Sequence, residues 1–212
     1  MKYHIVISRY NENIDWVKYI DTGVFDIYIY NKGDSLNDIP NCNIIKLNNT
    51  GRESHTYLYH IINNYGNLPE RLVFTQAHPF DHVKESFLND INTFNKCDSP
   101  FYYFSKDILS IVYYENTFIE FGMLNNRPWK NCHAINSPIK KTMKTLFDDY
   151  KDENVKLLFG TGAIFGVDKS SILRNNIDFY KNCMSVLNNS SNLVNPDEGH
   201  SFERLWHYIF MH

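Results

Sequence analysis

Arg71–His82 reads RLVFTQAHPFDH, and the interpretation of this stretch decides the fold. A short apolar run, Leu72 to Phe74, breaks abruptly into two histidines and an aspartate around Pro79. An apolar run of this length between polar residues predicts a buried strand. A strand that stops in such a cluster sets Gln76, His78, Asp81 and His82 at the carboxyl edge of a sheet, where open α/β folds bind ligands.

Upstream, Tyr3–Ser8 (YHIVIS) and Val24–Tyr30 (VFDIYIY) predict strands, the second ending in the turn signal Asn31-Lys32-Gly33. Between them, Ile14–Ile20 predicts an amphipathic helix, and Asn43–Leu47 a short third strand. Thr50–Tyr65 predicts a helix: Gly51 permits the entry turn, Glu53 suits the first turn, and Tyr57, Leu58, Ile61 and Ile62 form an apolar stripe. Strands alternating with helices at these spacings predict a mostly parallel sheet covered on both faces. Downstream, Phe101–Tyr114 is aromatic and β-prone, while Ile139–Tyr150 is helical. Lys156–Phe159 and Ala163–Val167 flank a Gly160-Thr161-Gly162 turn. Ser170–Leu173, Phe179–Leu187 and Ser201–Phe210 complete the helices.

With 212 residues the chain is expected to form one domain with a sizeable core. A formal net charge of −3, with scattered basic residues, argues against a nucleic-acid surface. The four cysteines, Cys42, Cys97, Cys132 and Cys183, are too dispersed for a zinc motif and fit reduced thiols in a cytoplasmic protein. No apolar run approaches a membrane span, and His4–Ser8 is too short for a signal peptide, so a soluble chain is expected.

Each candidate site residue also has a plain structural reading. Asp81 with His78 and His82 suits Mg²⁺ or Mn²⁺, which accept carboxylate, water and phosphate oxygens, with imidazole acceptable to Mn²⁺. Equally, Asp81 suits an N-cap for a helix over Val83–Leu88. Glu203 and His207, four residues apart in FERLWHYIF, share a helix face. Glu203 in a cleft would serve as a general base and His207 as a metal ligand; otherwise they are a surface acid and a half-buried ring. Gly162, within Gly160–Ala163, lets a backbone approach a ligand or simply makes a tight turn. Arg9, Lys32 and Arg52 adjoin strand ends where cations meet a diphosphate, although exposure is the default for any one of them. The chain has no GxGxxG, GxSxG or HExxH motif, so Rossmann, serine-hydrolase and metalloprotease readings lack support.

Six blocks taken in order, VISRYNENIDWV, IYNKG, NTGRESHTYLYHIINNY, LVFTQAHPFDH, GAIFGVDKSSIL and FERLWHYIF, resemble a family of small glycosyltransferase-like proteins. Its members include domains encoded by large DNA viruses and fungal and bacterial proteins. The resemblance covers nearly the whole chain. It implies an α/β, single-domain GT-A-like nucleotide-diphospho-sugar transferase fold over 1–212, with a mostly parallel central sheet flanked by helices. Residues 1–95 would form the nucleotide-binding half and 96–212 the acceptor-side half. It further implies a nucleotide-sugar donor, expected to be UDP-linked, a glycan or glycoprotein acceptor, and Mn²⁺ or Mg²⁺. The setting would be the cytoplasm, of the host if the chain is viral.

Residue by residue, the resemblance carries metal binding to Asp81, with His78 or His82 compensating for a missing second aspartate. The late ligand would be His207 or His212. Glu203 matches the acid facing the acceptor, and the Gly160–Gly166 segment matches the loop beside donor sugar and acceptor. Arg9, Asn31, Lys32, Arg52, Gln76 and Gly162 are the expected donor-binding residues. Transfer is expected to invert the anomeric centre. The alternatives are a nucleotide-sugar hydrolase using the same metal site, or a non-catalytic carbohydrate-binding module on a degenerate transferase fold.

Overall fold

In the computed structural model, residues 2–114, 117–131, 137–151 and 155–212 are described. The apolar runs become strands β1 (Tyr3–Arg9), β2 (Phe25–Asn31), β3 (Cys42–Lys46) and β4 (Arg71–Gln76). They align in parallel in the order β3-β2-β1-β4. Burial on both faces explains the near-continuous apolar runs of β1 and β4. Val6, Leu72 and Phe74 enter one core, whereas Ile5, Ile7 and Val73 enter the other.

Helix α1 (Arg52–Asn64) connects β3 to β4 and lays Tyr57, Leu58 and Ile61 on the first core. The opposite face is covered by Trp16 and Val17, then by Phe87 and Ile91 of the short helix α2 (Phe87–Asn92). Where an amphipathic helix was expected over Ile14–Ile20, there is one 3₁₀ turn, Asp15–Tyr19. Asn13 Oδ1 caps the Asp15 amide at 2.7 Å, and Ile20 is already extended, leaving no length for an α-helix. Likewise, Val83–Leu88 is not a helix capped by Asp81; α2 begins later, at Phe87, because Val83 bridges to Ser105.

The expectation of a mostly parallel sheet needs correction, since the architecture is mixed. Strands β5 (Phe101–Tyr103) and β10 (Phe165–Asp168) extend the sheet beyond β4, with β10 antiparallel to both neighbours. A second sheet, β8-β7-β6-β9, is antiparallel throughout, built from β6 (Ile108–Tyr114), β7 (Thr117–Leu124), β8 (Arg127–Asn131) and β9 (Lys156–Gly160). Strands β6, β7 and β8 follow one another in the chain and pair with their sequence neighbours, an arrangement that short links allow only when antiparallel. Strand β9 joins β6 after the longer connection that carries the helix Ile139–Leu146. The β7–β8 turn rests on Asn125 and Asn126, both at positive φ (50° and 60°), a conformation that asparagine tolerates. Helices α3 (Ile139–Leu146), α4 (Lys169–Ile172), α5 (Ile177–Asn188) and α6 (Asp197–Met211) complete the fold. Helix α6 buries Phe202, Leu205, Trp206, Ile209 and Phe210 in the first core. Cys42, Cys97 and Cys183 are free thiols, and Cys132 lies outside the described residues. No described helix is long and apolar enough to cross a membrane.

A polar trio sits within the core beneath β1 and β2. His4 Nδ1 and His60 Nε2 lie 3.0 Å apart, and His60 Nδ1 is 2.8 Å from the Tyr30 hydroxyl. Burial lowers both histidines, to about 4 for His4 and about 3 for His60, the neighbouring His4 adding to the second. Each is therefore neutral when folded, whereas the unfolded chain takes up protons near pH 6.5. Their contribution is complete above pH 6.5 and is lost as the pH falls toward 4. Urea midpoints should drop as the pH falls from 6.5 to 4.5. The slope should approach about 1.4 kcal/mol per pH unit for each ring. A His4→Gln/His60→Gln protein that lost stability just as steeply would disprove the assignment.

Candidate functional site

The reversal of strand order between β1 and β4 opens the carboxyl edge of the parallel sheet, as at a topological switch point. Three chain segments close on that edge. First, the loop after β4 is pinned by Ala77 N–H to Ser8 O (2.9 Å) and by Lys106 N–H to His82 O (2.7 Å). Second, the turn between β9 and β10 places Gly162 at φ 82°. A Cβ on Gly162 would lie 2.7 Å from His82 Cδ2, so only glycine lets the imidazole pack so near. Third, α6 brings Glu203 to the same turn.

Gly162 joins the three. Gln76 Nε2 donates to its carbonyl at 2.7 Å, and its N–H donates to Glu203 Oε1 at 2.8 Å. The other carboxylate oxygen, Oε2, accepts from Arg204 at 3.2 Å. Arg204 also donates through Nε to Glu120 Oε1 at 2.5 Å and to the His200 carbonyl at 2.9 Å. Glu120, on β7, is 1% exposed and Arg204 7%, so this ion pair is essentially dry and bolts the second sheet to α6. With both oxygens engaged, the plane of the Glu203 carboxylate is fixed.

Beside Glu203 lies a cavity of about 420 Å³, within the range of small-ligand sites. Its walls include Asp81, His82, Asp107, Glu120, Trp129 and Glu203. Asp81 from the post-β4 loop and Glu203 from the last helix thus face one space. Asp81 is 78% exposed at its side chain, and His78 Nε2 lies 3.8 Å from its Oδ2. Gln76 and Gly162, bonded to each other, are not among the lining residues of this cavity. His207 is placed elsewhere, one turn along α6, its ring stacked on Tyr103 at 5.7 Å and edge-on to Phe101 at 5.2 Å. Burial, then the nearby His212, lowers its pKa and favours the neutral ring. His212 stacks on Tyr208 at 4.3 Å.

The expected donor-binding cations have extensive partners within the protein. Arg9 Nη1 donates to Asn31 Oδ1 at 2.8 Å, its Nε to Glu12 O at 3.0 Å, and Asn31 Nδ2 to Asp34 O at 2.7 Å. These two residues brace the loops after β1 and β2, which enclose a second cavity of about 440 Å³ lined by Arg9, Asn13, Ser35 and Asp38. Lys32 is buried. Its ammonium donates to the carbonyls of Thr50 (2.7 Å) and Arg52, and burial lowers its pKa to about 8 against the opposing pull of Glu53. Arg52 opens α1 at φ 51° and reaches Asn195 Oδ1 (2.9 Å) and His200 Nε2 (3.2 Å), fastening the start of α6.

Sequence reasoning did not single out Glu120, Arg204, Asp107 or Trp129, and gave Glu53 only a helix-start role. A lone acid within the apolar strand TFIEFGML was the available signal for Glu120, because such a carboxylate requires a buried partner. Burial raises the Glu53 carboxyl and the neighbouring Glu203 charge adds to it, while Arg52 and Lys32 pull the other way. Desolvation likewise raises Tyr57, helped by both carboxylates; its hydroxyl donates to Ala163 O at 3.1 Å.

Among the described residues, no three His, Cys, Asp or Glu side chains stand together as a ready metal cage. Asp81 and His78 suit instead a cation that keeps several waters and takes further oxygens from its ligand.

Arg204→Met should strand Glu120 in the dry interior and cost about 3–5 kcal/mol of stability by urea unfolding. The double replacement Glu120→Leu/Arg204→Met should recover most of that loss. Recovery of less than a quarter would show that the pair does not act as a unit.

Residues 5–99, which span β1 to just before β5, match the model of a family described as "Protein of unknown function (DUF3431)". No curated protein and no solved structure matches the chain.

Proposed function

We propose that the protein is a glycosyltransferase that moves a sugar from a nucleotide sugar, UDP-linked, to an acceptor hydroxyl with inversion. The GT-A-like assignment of the fold belongs to this reading. One observation carries it: the Asp81 loop at the sheet's switch point and Glu203 of the last helix line the same cavity. The parallel order β3-β2-β1-β4, shared with nucleotide-binding α/β folds, supports a nucleotide at this edge.

In this reading Glu203 takes the proton of the acceptor hydroxyl. The hydroxyl oxygen attacks the anomeric carbon from the face opposite the nucleotide, and the bond from that carbon to the diphosphate oxygen breaks. The diphosphate leaves with the electron pair, and the proton ends on Glu203. Gly162 N–H and Arg204 hold the carboxylate in one orientation, so little reorganisation accompanies the transfer. Asp81 and His78 would hold Mn²⁺ or Mg²⁺, which when bound neutralises charge on the departing diphosphate. Arg9 and Asn31 shape the loops around the second cavity, and Arg52 fastens α6, so the donor would be held largely by preformed backbone.

Calorimetric titration with UDP should show binding in the presence of Mn²⁺ and a loss of about tenfold or more for Asp81→Ala. An absence of UDP binding with and without the cation would remove the donor assignment. Glu203→Gln should keep UDP affinity while transfer slows at least about a hundredfold. Turnover within a few-fold of the unsubstituted protein would deny Glu203 the role of base.

A further inference from the structure

The cavity beside Glu203 has a composition that selects its occupant. Four carboxylates reach its lining, Asp81, Asp107, Glu120 and Glu203, against the single guanidinium of Arg204. That guanidinium is already shared between Glu120 and Glu203. An ionised carboxylate only accepts hydrogen bonds, so the lining asks its ligand for donors. With Asp81 assigned to the proposed cation, a ligand carrying its own carboxylate, sulfate or phosphate would still meet the like charge of Asp107 and Glu203 in a partly dry space, with no free Lys or Arg side chain among the lining residues to offset it.

The rest of the lining is largely apolar and aromatic, with Leu109, Leu124, Trp129 and Phe159. Trp129 comes from β8 and is half-buried, as a stacking platform must be. The hairpin that carries it is fixed over the cavity, since Asp107 Oδ1 accepts from the Asn125 N–H at 3.3 Å. Thr161, also in the lining, has a buried Oγ1 without a hydrogen-bond partner, a polar group whose capacity a ligand or water would meet. An aromatic face and several acceptor groups in one lining suit a sugar ring, whose C–H face is apolar and whose rim carries hydroxyl donors.

We infer that this cavity is the acceptor subsite and that the acceptor is a non-anionic glycan, stacked on Trp129 with its hydroxyls donating to Asp107 and Glu203. The inference rests on the transferase reading for the word acceptor, and on the cavity's own chemistry for the glycan class. It also assigns the second sheet a role: the β7–β8 hairpin is the selectivity wall.

A glycan array probed with the intact protein should show binding confined to neutral and amine-bearing glycans, with sialylated and sulfated ones excluded. Trp129→Ala should weaken that binding about tenfold or more. Asp107→Lys, a change on a half-exposed residue, should admit acidic glycans. Acidic glycans bound as well as neutral ones, or no glycan bound at all, would overturn the inference, as would unchanged selection in Asp107→Lys. UDP titration of the same preparations separates the two readings. If UDP binds with Mn²⁺ but the charge selection fails, this inference alone falls. If the selection holds while UDP does not bind, the donor assignment falls and the cavity stands as a glycan-recognition site.

Discussion

The backbone of Gly162 is the constraint on which the site depends. Its carbonyl and amide are taken by Gln76 from the parallel sheet and Glu203 from the last helix, within a turn that joins the two sheets. A residue with a side chain would collide with His82 and would also resist the positive φ. Because one residue, through its two flanking peptide groups, satisfies partners from both halves, the distance between the end of β4 and α6 is set by two hydrogen bonds. Tyr57 reinforces the turn from α1 through the next carbonyl, that of Ala163. Precision of this kind is what a site needs when its groups come from far apart in the chain.

Charge is arranged around that turn in two layers. Inside, Arg204 and Glu120 neutralise each other where water does not reach, and the spare donor of Arg204 steadies Glu203. Outside, Asp81 lines the same cavity while standing largely in solvent, beside the His78 ring. Basic groups at the same edge mostly hold carbonyls. Lys32 and Arg9 are cations in composition but loop braces in structure, which leaves the backbone and the loop ends to contact a ligand.

The parallel half was legible because its central strands β1 and β4 are buried on both faces and therefore announce themselves as unbroken apolar runs, YHIVIS and LVF. Helix α1 was legible through its stripe of Tyr57, Leu58 and Ile61. In the second sheet β6 falls within the β-prone Phe101–Tyr114, but the β7–β8 hairpin was not legible, because β7 mixes exposed apolar residues such as Phe121 and Met123 with a buried Glu120, blurring the alternation that marks a half-buried strand. Its Asn125-Asn126 turn was the one local signal for the hairpin. The short turn at Asp15–Tyr19 shows the converse, an apolar spacing that suits a helix but lacks the length to propagate one.

From residue order alone came the existence of the α/β layers, the position of the strand ends, and the candidacy of Asp81, Gly162 and Glu203, since burial period and turn chemistry are local properties. Which candidates share a space was settled only in three dimensions. Glu203 and Asp81, separated by more than half the chain, line one cavity, while His207, one helical turn from Glu203, packs among aromatic rings instead. A helix face spans more than one environment along its length, and the pairing of Arg204 with a strand residue as distant as Glu120 leaves no periodic trace. Such a contact arises from the packing of α6 against the second sheet, a long-range choice made by the whole core.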